Sequence, residues 1–206
     1  MNKNLWLRRI RNICGFLGAM LPWISLLGTY IACNNGQTID WSKLSISATY
    51  YYTPALVAIL TAASIVLMCY DGYDLKDNIL TTLAGVFGIC IVLFPCSGYG
   101  DYVGFFRINS FVSNIIHSIS AVGFFGLLAY INLFLFTLSN GDMTPQKKKR
   151  NIVYRVCGIG MIVSFAIMVI PNLFAKAFIT EAISLTFFGI AWLVKGNVFG
   201  LMKDES

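Results

Sequence analysis

Six apolar runs dictate what this chain can fold into. They cover residues of about 12–32, 51–70, 79–97, 111–138, 152–171 and 178–199. A helix of roughly 18–25 such residues crosses the hydrocarbon of a bilayer, so each run predicts a transmembrane helix. The separators carry turn chemistry: "CNNGQTIDWSK", "DGYDLKDN", "SGYGDYVGFFRIN" and "SNGDMTPQKKKRN". The fifth and sixth runs are joined by the short "PNLFAKA", which implies adjacent antiparallel helices. Composition agrees. The chain is 57% hydrophobic and 12% charged, whereas a soluble domain carries about 25% charged residues. The predicted fold class is therefore all-α, a six-transmembrane-helix bundle forming one integral membrane domain over residues 1–206.

The distribution of basic residues sets the expected orientation. With the N-terminus inside, the inner segments hold Lys3, Arg8, Arg9, Arg11, Lys76, Lys147, Lys148, Lys149, Arg150, Arg155, Lys195 and Lys203. The outer segments hold only Lys43, Arg107 and Lys176. Lysine and arginine concentrate on the cytoplasmic side of membrane proteins, so both termini are expected there. The net charge of +6 thus reads as topology, and no extramembrane domain is large enough to read nucleic acid. "NLWLRRIRN" resembles the basic start of a signal peptide. The apolar run after it is too long for one and lacks an A-x-A site, so the first helix is expected to be retained.

Metal and nucleotide chemistry find no support. The chain has six cysteines and one histidine, with no CxxC pair and no glycine-rich phosphate loop. No metal and no cofactor are expected. Cys14, Cys69, Cys90 and Cys157 fall in apolar runs and read as small hydrophobes. Cys33 and Cys96 fall at the outer face, where a disulfide between them stays open. Asp71, Asp74 and Asp77 are expected to cap the third helix rather than hold a cation. "QKKKR" can meet acidic headgroups, although its role in topology suffices. Ala84 with Gly88, and Ala121 with Gly126 nearby, suggest places where helices approach closely. Pro95 and Pro171 are expected to end helices.

The informative residues are polar ones at membrane depth. A charge at the bilayer centre costs on the order of 3 kcal/mol on insertion scales. His117 lies about two turns into the fourth run and Glu181 about one turn into the sixth, both toward the outer end. Lys195, near the inner end, can snorkel. Ser113 and Ser120 share the helix face of His117, with Asn114 and Ser118 beside it. Ser184 shares a face with Glu181. The outer loops add Ser45, Ser47, Thr49, the run Tyr50–Tyr51–Tyr52, Asp101 and Arg107. A polar pocket opening outward is predicted, lined by His117, Glu181, Ser113, Ser120, Ser184, Tyr51 and Asp101. The alternative is that His117 is only a helix clasp, bonded to a carbonyl or to Glu181.

Several stretches together carry a family likeness: "SISATYYYTP", "YDGYDLKDN", "LAGVFGICIVLFPC", "IIHSISAVGFFGLLAYINLFLFT", "QKKKRNIVYRVCGIGM" and "EAISLTFFGIAWLVKG". As a set they resemble uncharacterised bacterial six-helix integral membrane proteins, distantly similar to the damage-regulated autophagy modulator class. That wider class pairs a proline-ended third helix with a histidine in the fourth, as Phe94–Pro95 and His117 do here. The resemblance implies the six-helix fold and a bacterial inner-membrane location, and it implies no activity. Three functions are compatible with the residues. The first is binding of a lipid or lipid-like amphiphile in the outward pocket, with membrane lipids as partners and no nucleic acid. The second is a membrane-embedded hydrolase or transferase with His117 as general base and a serine or water as nucleophile. The third is a small proton-coupled transporter using His117 and Glu181.

Overall fold

The computed structural model describes residues 3–72, 74–98, 100–139, 143–169 and 177–198. It is 76% helical with six helices, five of them long and apolar enough to cross a membrane. In chain order these are α1 (Lys3–Asn34), α2 (Ala55–Met68), α3 (Leu75–Leu93), α4 (Ser110–Tyr130), α5 (Pro145–Val169) and α6 (Ala177–Lys195). A single tight turn of 3-10 helix, Ser47–Tyr51, precedes α2, and a π-turn, Ile131–Leu135, extends α4. A two-stranded hairpin, β1 (Tyr102–Val103) and β2 (Ile108–Asn109), links α3 to α4.

Each helix packs against its neighbours in sequence, and α6 closes the ring on α1. The outer faces of the helices are strongly apolar, and the mainly apolar interior includes several polar side chains. Ile13, Phe16, Leu27, Ile65, Val86, Ile119, Val122, Ile159 and Ile183 point outward, while Ser25, Thr29, Ser64, Ser113 and Asn132 are fully buried. Extended apolar outer faces of this kind agree with helices long and apolar enough to cross a membrane.

The element boundaries have local causes. Helix α2 starts behind Pro54, whose φ of −71° is already helical. Its 14 residues span about 21 Å at 1.5 Å per residue, less than the 51–70 run suggested, because Tyr50 and Tyr51 belong to the preceding tight turn. Asp74 is the N-cap of α3, accepting from the Asp77 N–H at 2.8 Å. Asp77 itself is buried in the first turn. Helix α5 begins at Pro145 with Thr144 Oγ1 accepting from the Lys147 N–H, so "QKKKR" is helical. Gly88 does mark a close approach, since a Cβ there would stand 2.2 Å from Ser64 Oγ on α2. Gly126 does not: nothing lies within 4 Å of its Cβ position. Instead Gly123 receives the Phe87 ring. Pro171, Lys176 and Lys203 lie outside the described residues.

At the end away from the hairpin, aromatic rings fill the centre. Trp192, Tyr154 and Phe188 are almost wholly buried, and Trp192 packs edge-on to Tyr70 and Phe136. Arg11 donates to the Tyr70 hydroxyl at 2.9 Å, and Lys147 donates to the Phe136 carbonyl. Lys195 stands 4.9 Å over the Phe136 ring instead of snorkelling free of the bundle. Arg8 donates to the carbonyls of Gly196 and Asn197, joining α1 to the residues after α6.

Candidate functional site

The site grows out of the way α3 stops. A residue before proline is pushed out of the helical region, and Phe94 accordingly sits at φ −119°, ψ 82°. The last carbonyls of a helix have no partner within it, and in a bilayer they need one from elsewhere. Four successive carbonyls here are met by four different donors. Leu93 O accepts from the Phe105 N–H of the hairpin, and Phe94 O from His117 Nδ1 at 2.9 Å. Pro95 O accepts from the Ser113 hydroxyl at 2.8 Å, and Cys96 O from the Tyr51 hydroxyl at 2.5 Å. The Ser97 N–H then donates to Asn114 Oδ1. The polar face of α4 is thus the cap of α3.

Gly104 makes the first of these contacts possible. Its φ is +75°, and a Cβ there would fall 2.6 Å from Leu93 O and 2.7 Å from Pro95 Cδ. The hairpin backbone therefore lies directly on the exit of α3.

Because a carbonyl only accepts, Nδ1 of His117 carries the proton in that bond. Nε2 faces the other way and lies 3.1 Å from Ser47 Oγ. Ser47 Oγ is in turn 3.3 Å from Glu181 Oε1, and Glu181 Oε2 accepts from the Ile46 N–H at 2.5 Å. His117 and Glu181 are therefore joined through Ser47 rather than to each other. The loop carrying Ser47 is held to α6 a second time by the Phe178 N–H on the Leu44 carbonyl.

These three side chains line one cavity of about 290 Å³. Ser45, Cys96, Asn114 and Ser118 add polar edges, and Leu56, Leu60, Phe124, Phe125, Phe165 and Leu185 supply apolar walls. Val122 also lines it while 55% exposed on the outer side of α4, so the cavity reaches the apolar surface near α4 and α5.

The remaining predicted site residues fall elsewhere. Ser113 is consumed by Pro95 O and does not line the cavity. Ser120 is buried below His117, also off the lining. Ser184 is 1% exposed, and its hydroxyl has no partner among the described residues. Tyr51 braces the α3 exit and borders a separate surface hollow with Gly36, Gln37 and Thr38. Asp101 is exposed at the start of the hairpin. Burial, aided by nearby charge, pushes the Tyr51 phenol up to about 12. Burial and then the neighbouring Glu181 carboxylate push the Cys96 thiol up to about 12. Cys33 and Cys96 are both free thiols. Among the described residues no group of three or more His, Cys, Asp or Glu gathers in a way that would hold a metal.

No family model, curated protein or solved structure matches this chain. Its function must be argued from the site.

Proposed function

We propose that the protein is an integral membrane protein that binds a lipid or similar amphiphile in the cavity between His117, Ser47 and Glu181. One observation carries the reading: the cavity joins a compact polar floor to apolar walls that run out to the surface of α4. A molecule with a small polar head and a hydrocarbon chain matches that division, and the volume lies at the lower edge of ordinary ligand sites. In keeping with the basic-residue bias and the resemblance noted above, we assign it to a bacterial inner membrane, with both termini cytoplasmic and the cavity toward the outer leaflet.

The 3.1 Å separation of Ser47 Oγ and His117 Nε2 favours a second reading, a membrane hydrolase with Ser47 as nucleophile. The surrounding amides argue for binding instead. An acyl-transfer site needs free N–H donors beside the nucleophile for the developing oxyanion. Here the Ile46 N–H is given to Glu181 and the Ala48 N–H to Ser45 Oγ. The imidazole Nδ1 is also spent on a carbonyl, where a triad would offer a carboxylate. A transporter is supported less: the site is one to two turns from the starts of α4 and α6, whereas carrier sites cluster near the midplane.

The test is the identity of what co-purifies. The protein is extracted in a mild detergent, and its bound molecules are determined by native mass spectrometry and solvent extraction. A near-stoichiometric amphiphile is expected, and Ala121→Phe, which fills the lined space, should expel it with little change in thermal stability. Retention of the amphiphile by that variant, or hydrolysis of an acyl ester that Ser47→Ala abolishes, defeats the reading.

A further inference from the structure

The hairpin between α3 and α4 folds back along the bundle instead of standing clear of it. Its base is closed by the Ser110 N–H on the Asp101 carbonyl at 2.8 Å, level with the start of α4. Its turn lies lower. The Phe105 N–H donates to the carbonyl of Leu93, the last residue of α3, and Gly104 rests against Pro95. The next carbonyl, that of Phe94, is met by His117, which stands about two turns, or roughly 10 Å, down α4 from Ser110. The tip of the hairpin is therefore held below the level at which α4 begins.

Depth follows from α3. Its 19 residues extend about 28 Å, close to the roughly 30 Å of a bilayer's hydrocarbon. In a spanning bundle Leu93 thus marks the hydrocarbon boundary at this end, and the tip is pinned to it. The side chains divide accordingly. Val103 is buried against the bundle, and Phe106 stacks on Phe94 at 5.6 Å. Phe105 is nevertheless 75% exposed and Phe106 55% exposed. A phenylalanine ring prefers an apolar phase to water by about tenfold or more.

Helix α4 indicates what covers these rings. Phe111, Ile115, Ile119 and Val122 are exposed at helical spacing, a stripe that starts beside the hairpin base and runs inward. On a spanning helix such a stripe faces acyl chains, and exposed rings held at the same depth meet the same surroundings. Arg107 is exposed in the same turn. An arginine there lays its stem along apolar surface while its head reaches lipid phosphate.

We infer that the 101–109 hairpin is a wedge in the lipid leaflet at this end of the bundle, with Phe105 and Phe106 among the upper acyl chains and Arg107 at the phosphates. Such a wedge presupposes the membrane-spanning reading above and is independent of what the cavity holds.

Carbene labelling of the intact protein in nanodiscs tests it. The discs contain phosphatidylcholines with a diazirine near the glycerol end or near the terminus of one acyl chain. A parallel sample receives a water-soluble diazirine, and adducts are located by peptide mass spectrometry. Phe105 and Phe106 should carry glycerol-end lipid adducts about tenfold or more above adducts of the water-soluble reagent. Asp101, at the base, should show the reverse order, and Ile119 should take the chain-terminus probe. If Ile119 is labelled from the lipid while the tip is labelled from water, the wedge is wrong and the spanning reading stands. A tip protected from both reagents also overturns the wedge, since that is what a protein partner would produce. If Ile119 takes no lipid adduct, both readings fall.

Discussion

Replacing His117 removes the donor that meets the Phe94 carbonyl, and the consequence can be sized. A buried carbonyl left without a partner costs about 1–3 kcal/mol. Interhelical hydrogen bonds measured inside membranes sit at the lower end of such values, about 0.6 kcal/mol on average. Alanine also deletes the ring, which is 5% exposed and packed against the end of α3. Large-to-small changes in cores cost about 2–5 kcal/mol, and here part of the ring already faces a cavity, so the lower end applies. The total for His117→Ala is about 3 kcal/mol. Asparagine branches so that an amide N–H occupies the place of Nδ1, so His117→Asn keeps the bond to Phe94 O and should cost about 1 kcal/mol. For a chain of this size 1 kcal/mol moves the melting point by about 2–4 °C. Thermal unfolding in detergent, followed by intrinsic tryptophan fluorescence, should therefore show a fall of roughly 6–12 °C for alanine and 2–4 °C for asparagine. If asparagine is as damaging as alanine, or if alanine changes nothing, capping of α3 is not what His117 does for stability.

Other perturbations have equally definite outcomes. Gly104→Ala places a methyl group against Leu93 O in a left-handed backbone; it should destabilise by about 1–3 kcal/mol, and limited proteolysis should open the 100–109 hairpin first. Asp74→Ala removes the N-cap of α3 and should cost about 1 kcal/mol, read from the same melting curves. The Cys96 thiol, pushed up to about 12, stays protonated at pH 8; maleimide should label it about tenfold more slowly or worse than in the denatured chain, because the thiolate is the nucleophile. Non-reducing and reducing digests should give the same peptide masses, since Cys33 and Cys96 are free.

Much of this was legible in the amino-acid string, for reasons that differ by residue. The helices follow from uninterrupted hydropathy, which needs no tertiary information. The alignment of Ser113 and His117 on one face follows from helical spacing, and Pro95 already implies stranded carbonyls at the end of α3. Which donor meets which carbonyl is set by the rise of α4 beside α3, and periodicity does not contain that. Ser47 is the clearest case of the limit. It lies in a loop 70 residues from His117 and 134 from Glu181, and only the closing of the ring puts it between them. Tyr51 and Asp101 stand apart from the cavity because loop polarity carries no direction. The shortness of α2 was hidden because tyrosines are as apolar in a tight turn as in a span.

The closure of α6 on α1 has a consequence for the order of events during synthesis. Leu21 and Glu181 line the same cavity, and Arg8 is tied to the carbonyls of Gly196 and Asn197. Helix α1 therefore waits for α6, made more than 140 residues later. Until α6 is inserted, the Ser47 loop lacks its anchor on Glu181, and the cavity has no wall on that side. Helices α2 to α4 can assemble early from neighbouring contacts, which form fastest. The cavity, by contrast, is complete only when α6 is in place, and a chain interrupted before α6 would carry His117 already bonded to Phe94 but no enclosed space for it to face.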